Sequence, residues 1–114
     1  MDMKVLIADD NANVRLLLRD YLPASANEVY QCANGEEAVA LYKQHPPDWV
    51  LMDQDMPRTD GITAIRRIIA IYPAAKICMV TAFDDPEIRL AAIEAGACGY
   101  VVKDNLSELT TLLH

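Results

Sequence analysis

Long apolar runs are missing from this sequence, and none approaches the roughly 18 residues that a membrane span requires. The one apolar run near the N-terminus is interrupted by Asp2, Lys4, Asp9 and Asp10, so no secretory signal is read there and a cytoplasmic location is expected. Cysteine is sparse and odd in number. Cys32, Cys78 and Cys98 are far apart and form no C-x-x-C pair, which argues against a zinc site or a disulfide framework. All three are expected to be buried thiols used as small apolar residues in a reducing compartment. Positive charge is also short, with 10 Lys and Arg against 17 Asp and Glu and a net charge of −7. An acidic surface repels phosphate backbones, so direct nucleic-acid binding is not expected, and cations or basic protein patches are better-matched ligands. No glycine-rich loop opens a helix, which removes the usual nucleotide cradle. His45 stands against Pro46 at a helix end without a neighbouring acid or base, and His114 is the last residue, so neither suits catalysis.

What is present is an ordinary globular composition, 53% apolar and 24% charged. A chain of 114 residues can close one hydrophobic core, and residues 1–114 are read as one domain. Short apolar runs alternate five times with helical patterns. Lys4-Val-Leu-Ile-Ala8 reads as a strand buried on both faces. Asn11–Leu22 places Val14, Leu17, Leu18, Tyr21 and Leu22 on one helical stripe and stops at Pro23. A second strand is expected over Glu28–Cys32, and Asn34-Gly-Glu-Glu37 is a capping-box variant opening a helix through Tyr42. Trp49–Met52 is the third strand, and Ile62, Ile65, Ile68, Ile69 and Tyr72 mark a third helix ended before Pro73. Lys76–Val80 is the fourth strand. Asp85-Pro86 supplies an N-cap and a first-turn proline for a helix that Gly96 ends. Cys98–Val102 is the fifth strand, and Asn105-x-x-Glu108 is expected to cap a last helix carrying Leu106, Leu109, Leu112 and Leu113.

Strict β-α alternation implies a parallel sheet covered by helices on both faces. Polar sites in such sheets gather at the carboxyl ends of the strands, near a switch in strand order. Asp9 and Asp10 follow the first strand, Asp53 the third, Thr81 the fourth and Lys103 the fifth, so five polar residues obey that rule. Two carboxylates about 4 Å apart repel by roughly 4 kcal/mol at an effective dielectric near 20. Such a cluster calls for a neutralising cation, and a hard divalent ion with few protein ligands and retained water fits Mg²⁺ better than Ca²⁺. One carboxylate then remains free to attack phosphorus, with the ammonium and the hydroxyl available to the phosphoryl oxygens.

The segments Val5-Leu-Ile-Ala-Asp-Asp10, Asp48-Trp-Val-Leu-Met-Asp53-Gln-Asp-Met-Pro57, Asp60-Gly61, Thr81-Ala82 and Gly99-Tyr-Val-Val-Lys103-Asp104 occur in this order with these separations. The chain thereby resembles the receiver domain of two-component response regulators over essentially its whole length. The resemblance implies a flavodoxin-like (CheY-like), doubly wound sheet of five parallel strands in order 2-1-3-4-5, with helices on both faces. It implies that Asp53 is the phosphoacceptor and that Asp10 binds Mg²⁺ directly, with Asp9 acting mainly through water and Asp55 through its backbone carbonyl. Thr81 and Lys103 would contact the phosphoryl group, the Ala82 amide would lie nearby, and Tyr100 would be the switch aromatic coupled to Thr81. The donor would be a phosphohistidine on a sensor histidine kinase or phosphotransfer protein. The fourth helix, fifth strand and fifth helix, roughly Asp85–His114, would transmit the signal to an output domain or a second copy.

Some positions depart from the commonest pattern of that family. Gln54 stands where an apolar residue is usual, and Asp55 adds an acidic side chain that would slow an anionic donor, change the lifetime of the phosphorylated state or add a metal contact. Phe83 would either restrict water at the mouth of the site or pack on the loops. A haloacid-dehalogenase-type D-x-D is excluded because that motif follows the first strand in longer chains. A calcium loop is excluded because Pro57 takes the third ligand position and no glutamate closes the loop. The remaining alternatives are a non-phosphorylated pseudo-receiver and a small Mg²⁺-dependent phosphatase. The ending Gly-Tyr-Val-Val-Lys-Asp resembles receivers of the NarL/FixJ type, so a role in transcription through a separate DNA-binding domain, with this chain a fragment of a longer regulator, is the expectation.

Overall fold

A computed structural model describes residues 2–113 of the chain. Five strands, β1 (Met3–Ala8), β2 (Ala26–Cys32), β3 (Trp49–Met52), β4 (Ile77–Thr81) and β5 (Gly99–Val102), form one sheet in the order β2-β1-β3-β4-β5. All of the pairings are parallel. The helices α1 (Ala12–Asp20), α2 (Gly35–Gln44), α3 (Gly61–Ile71), α4 (Pro86–Ala95) and α5 (Ser107–Leu112) alternate with the strands. The doubly wound architecture expected from the sequence is the one observed.

The sheet is apolar on both faces, which is why its central strands read as unbroken apolar runs. Leu6, Ala8, Val50, Met52, Ile77 and Met79 point to one face, where Ala38 and Tyr42 of α2, Ala64, Ile65 and Ile68 of α3, and Ala92 and Ala95 of α4 cover them. Val5, Ile7, Leu51, Cys78, Val80 and Val101 point to the other, beneath Leu18 of α1 and Leu109 of α5. The edge strand β2 is more polar and starts two residues earlier than the apolar pattern suggests, because Ala26 pairs with Met3 across a register shift.

Three of the expectations need correction. Leu17 is 46% exposed, because α1 meets the sheet with Leu18 and, more shallowly, Val14. Cys98 is exposed, while Cys32 and Cys78 are buried as expected. Asn105 does not cap the last helix: it ends a 3-10 turn over Lys103–Asn105, and α5 starts at Ser107 without a side-chain cap. The other caps form as read. Asn34 and Glu37 bond reciprocally, with the Glu37 amide donating to Asn34 Oδ1 at 2.9 Å and Asn34 Nδ2 donating to Glu37 Oε1 at 2.7 Å. Asp85 Oδ1 accepts from the Glu87 amide at 2.8 Å, and Gly96 ends α4 at a left-handed φ of 118°.

Candidate functional site

Strand order reverses between β1 and β3, and the carboxyl ends of these two strands carry the acids. Asp9 leaves β1 with its amide donating to the Cys32 carbonyl at 3.1 Å, and Asp53 leaves β3 with its amide donating to the Ala8 carbonyl at 2.9 Å. The backbone of both residues is therefore still held by the sheet, and their side chains start from fixed points. One carboxylate oxygen from each of Asp9, Asp10 and Asp53 lies within 4.8 Å of the other two. Asp9 is 1% and Asp53 6% exposed, whereas Asp10 faces solvent.

Lys103, just after β5, reaches across to both buried acids, with Nζ 2.9 Å from Asp9 Oδ2 and 3.3 Å from Asp53 Oδ1. Burial pulls the Lys103 ammonium down, but the two carboxylates outweigh it and hold its pKa above the ordinary lysine value. Burial, aided by the neighbouring Asp9 charge and opposed by Lys103, pushes the Asp53 carboxyl up to about 6. Asp9 Oδ1 accepts from the Asn11 amide at 2.9 Å, but Asp9 Oδ2 is buried and takes no aligned hydrogen bond beyond the ion pair. One ammonium thus faces three carboxylates, so the local charge is under-compensated. That orphaned oxygen and an all-oxygen donor set fit a hard divalent cation such as Mg²⁺.

Thr81 closes β4 opposite Val102 and is 1% exposed, with Oγ1 accepting from the Phe83 amide at 3.3 Å. Ala82 is exposed at the start of the β4–α4 loop. The Tyr100 hydroxyl donates to the Phe83 carbonyl at 2.7 Å, while the Phe83 side chain is 52% exposed, outside both apolar clusters. The Asp55 side chain is exposed and its carboxylate stands outside the acidic trio.

Three contributors were not anticipated. Gln54 Oε1 accepts from the Ile62 amide at 2.9 Å, so this polar residue satisfies a free amide in the first turn of α3. Arg15 on α1 donates to the Asp9 carbonyl at 2.7 Å and to Gln31 Oε1 at 3.2 Å, fixing the loop that carries the acids. A Cβ on Gly61 would lie 2.2 Å from the Asp53 carbonyl oxygen, so only glycine lets α3 start this close to the end of β3. The Arg15 contact could have been read from a cation in the first turns of a helix that follows Asp9-Asp10. The other two depend on how α3 sits against β3.

Residues 5–114 match the family model of the response regulator receiver domain. The chain is 41% identical over 104 residues to the chemotaxis protein CheY of Bacillus subtilis, covering 90% of this chain and 87% of that protein. It is 39% identical to the transcriptional regulatory protein YxjL of the same organism, covering 93% of this chain but 50% of that protein. Among solved structures, CheY in the CheX-CheY-BeF3-Mg²⁺ complex of Borrelia burgdorferi is similar with a TM-score of 0.83 and 32% identity, over 89% of this chain and 78% of that one.

Proposed function

The chain belongs to the response regulator receiver domain family, and from that premise we infer that it accepts a phosphoryl group on Asp53 from a phosphohistidine of a sensor kinase or phosphotransfer protein. The observation that carries this reading is the meeting of Asp9, Asp10 and Asp53 within 4.8 Å, with Lys103 bridging the two buried acids. A carboxyl with a pKa of about 6 is mostly ionised at neutral pH, so Asp53 is available as a nucleophile there. An Asp53 oxygen forms the new P–O bond as the donor's P–N bond breaks. The bonding pair stays on the imidazole nitrogen, which takes a proton from water. Lys103 and the Thr81 hydroxyl, with the Ala82 amide, offset charge on the phosphoryl oxygens.

Asp10 would hold Mg²⁺ directly, Asp9 through water, and Asp53 and the Asp55 carbonyl would complete the protein ligands. The ion, when bound, would supply neutralisation of the developing phosphoryl charge. The likeness to a CheY solved with BeF3 and Mg²⁺ supports both the ion and the acceptor role.

The output is a population shift at the face formed by α4, β5 and α5. Phe83, Leu90 and Ile93 are exposed there or beside it, and the same face would serve an output domain or a second copy; His114, which the sequence reading included in that face, lies outside the described residues. The likeness to a transcriptional regulator of which the chain spans half supports control of transcription by a separate domain. Residues 1–114 would act as one such module in the cytosol, and no helix among the described residues is long and apolar enough to cross a membrane.

Acetyl phosphate with Mg²⁺ tests this reading. The expected result is a gain of one phosphoryl group by mass, lost with EDTA and absent in Asp53→Asn. Equal labelling of Asp53→Asn would sink the assignment, and continuous phosphate release over many turnovers would favour a phosphatase.

A further inference from the structure

Gln54, the chain neighbour of Asp53, is held to the start of α3 by two of its oxygens. Its backbone carbonyl accepts from the Gly61 amide at 3.0 Å, and its side-chain Oε1 accepts from the Ile62 amide at 2.9 Å. Asp60 Oδ1 takes the next amide, that of Thr63, at 2.8 Å. Consecutive donors in the first turn of α3 are thus shared between the ordinary cap and a residue outside the helix. The contact is close, since a Cβ on Gly61 would stand 3.0 Å from Gln54 Cα. The loop over residues 55–60 is anchored separately at its far end. There the Gly35 amide donates to the Thr59 carbonyl at 3.0 Å, and a Cβ on Gly35 would stand 2.2 Å from that oxygen. Arg58, just before, takes a left-handed φ of 68° and pairs with Glu36 at 3.6 Å. Losing the Gln54 side-chain bond would therefore loosen the end of the loop next to Asp53 and spare the end next to α2.

We propose that Gln54 is a positioning residue whose side chain tethers the peptide after Asp53 to α3, and so holds the acceptor carboxylate in the assembled acid cluster before any ion arrives. The tether rests on the reading of that cluster as a Mg²⁺ and phosphoacceptor site. Its sign follows from what it holds in place: oxygens of Asp9, Asp10 and Asp53 within 4.8 Å of one another, with Lys103 Nζ 3.3 Å from Asp53 Oδ1. Three carboxylates repel, so a looser Asp53 peptide lets them spread. A cation that gathers them must then reorder the peptide, and that ordering is subtracted from its affinity. Because Oε1 is engaged by α3, Gln54 acts through the Asp53 peptide and not on the phosphoryl group itself. Methionine at this position would match the length of the side chain but offer only a weakly accepting thioether. One hydrogen bond of this kind shifts an equilibrium by about two- to tenfold.

The test compares the wild-type chain with Gln54→Met and Gln54→Glu, by amide hydrogen exchange in EDTA and by titration with MgCl₂ followed through the Asp10 and Asp53 amide signals. In Gln54→Met the Ile62 amide is expected to exchange about two- to tenfold faster, and Mg²⁺ to bind about two- to fivefold more weakly. Gln54→Glu keeps an oxygen for the Ile62 amide and should restore its protection. Asp60→Ala and Asp60→Asn separate positioning from helix capping, because the first loses the Thr63 bond and the second keeps an acceptor at equal charge. The tether predicts a clearly smaller gap in Mg²⁺ affinity within that pair than between Gln54→Met and wild type. An equal gap, wild-type affinity in Gln54→Met, or an unprotected Ile62 amide in Gln54→Glu overturns the tether and leaves the acceptor assignment intact. A wild type whose signals do not respond to MgCl₂ overturns the metal reading and the tether with it.

Discussion

Lys103 is the only cation within 4 Å of the Asp9 and Asp53 carboxylates among the described residues, so both depend on it for compensation. Replacing it with Met leaves two buried carboxylates facing one another. With a side chain that is 22% exposed, the loss belongs below the range for a fully buried pair, about 2 kcal/mol. Urea unfolding in EDTA checks that figure, and carbonyl NMR should find the Asp53 pKa above its present value of about 6. Asp55 acts at longer range, because its side chain is exposed and outside the acidic trio. Asp55→Asn is expected to raise the rate of labelling by acetyl phosphate by about twofold through weaker repulsion of the anion. Unchanged labelling and decay rates would leave that carboxylate without a role at the site. At this scale the sequence alone was a good guide to residue type and a poor one to burial. Cys98 has the same chemistry as Cys78, yet one is exposed and the other lies under α5.

The elements show where local signals suffice. Helix starts at Asn11, Asn34, Asp60 and Asp85 have side-chain oxygens bonded to first-turn amides, an interaction between residues two or three apart that needs no tertiary partner. Asp60→Ala, which removes the bond to the Thr63 amide at 2.8 Å, should cost about 1 kcal/mol in a chemical melt. The start of α3 is also constrained from outside. A Cβ at Gly61 would meet the Asp53 carbonyl oxygen at 2.2 Å and its carbonyl carbon at 2.9 Å, and backbone cannot give way as a side chain can. Gly61→Ala is therefore expected to cost about 3 kcal/mol, the upper end for overpacking, and to slow labelling of Asp53 by displacing the peptide that carries it. A variant with wild-type stability and labelling would refute this account. The same dependence explains α1 and α5. The apolar spacing of Leu17 allows burial, but α1 presents Leu18 to the sheet instead. The Asn105-x-x-Glu108 pattern suits a cap, but the turn that brings Lys103 to the acids takes Asn105 first.

For the whole molecule, the net charge of −7 and the under-compensated acids lead to the expectation that stability depends on pH and, if the proposed ion binds, on divalent cation. Asp53 binds its proton more tightly folded, near pH 6, than unfolded, near the ordinary 3.8. Its contribution is thus fully present below about pH 4 and is lost as pH rises through 6, by at most about 3 kcal/mol. Metal-free protein should lose this increment between pH 4 and pH 6.5 in denaturant melts, and Asp53→Asn should flatten that slope. Mg²⁺ should raise the melting temperature at pH 7.5 and do much less at pH 4.5, where a proton occupies Asp53. An equal effect at both values would mean that the ion binds elsewhere. Repeated strand and helix periods, caps, and polar residues at four strand ends were determined by the sequence itself, because each depends on neighbours along the chain or on a general rule of parallel sheets. Tertiary structure alone decided which leucine of α1 is buried, which cysteine is exposed, why Gly61 must be glycine, and that Thr59 is anchored to the start of α2. Those outcomes are set by distances between segments far apart in the chain, and no local pattern encodes a distance.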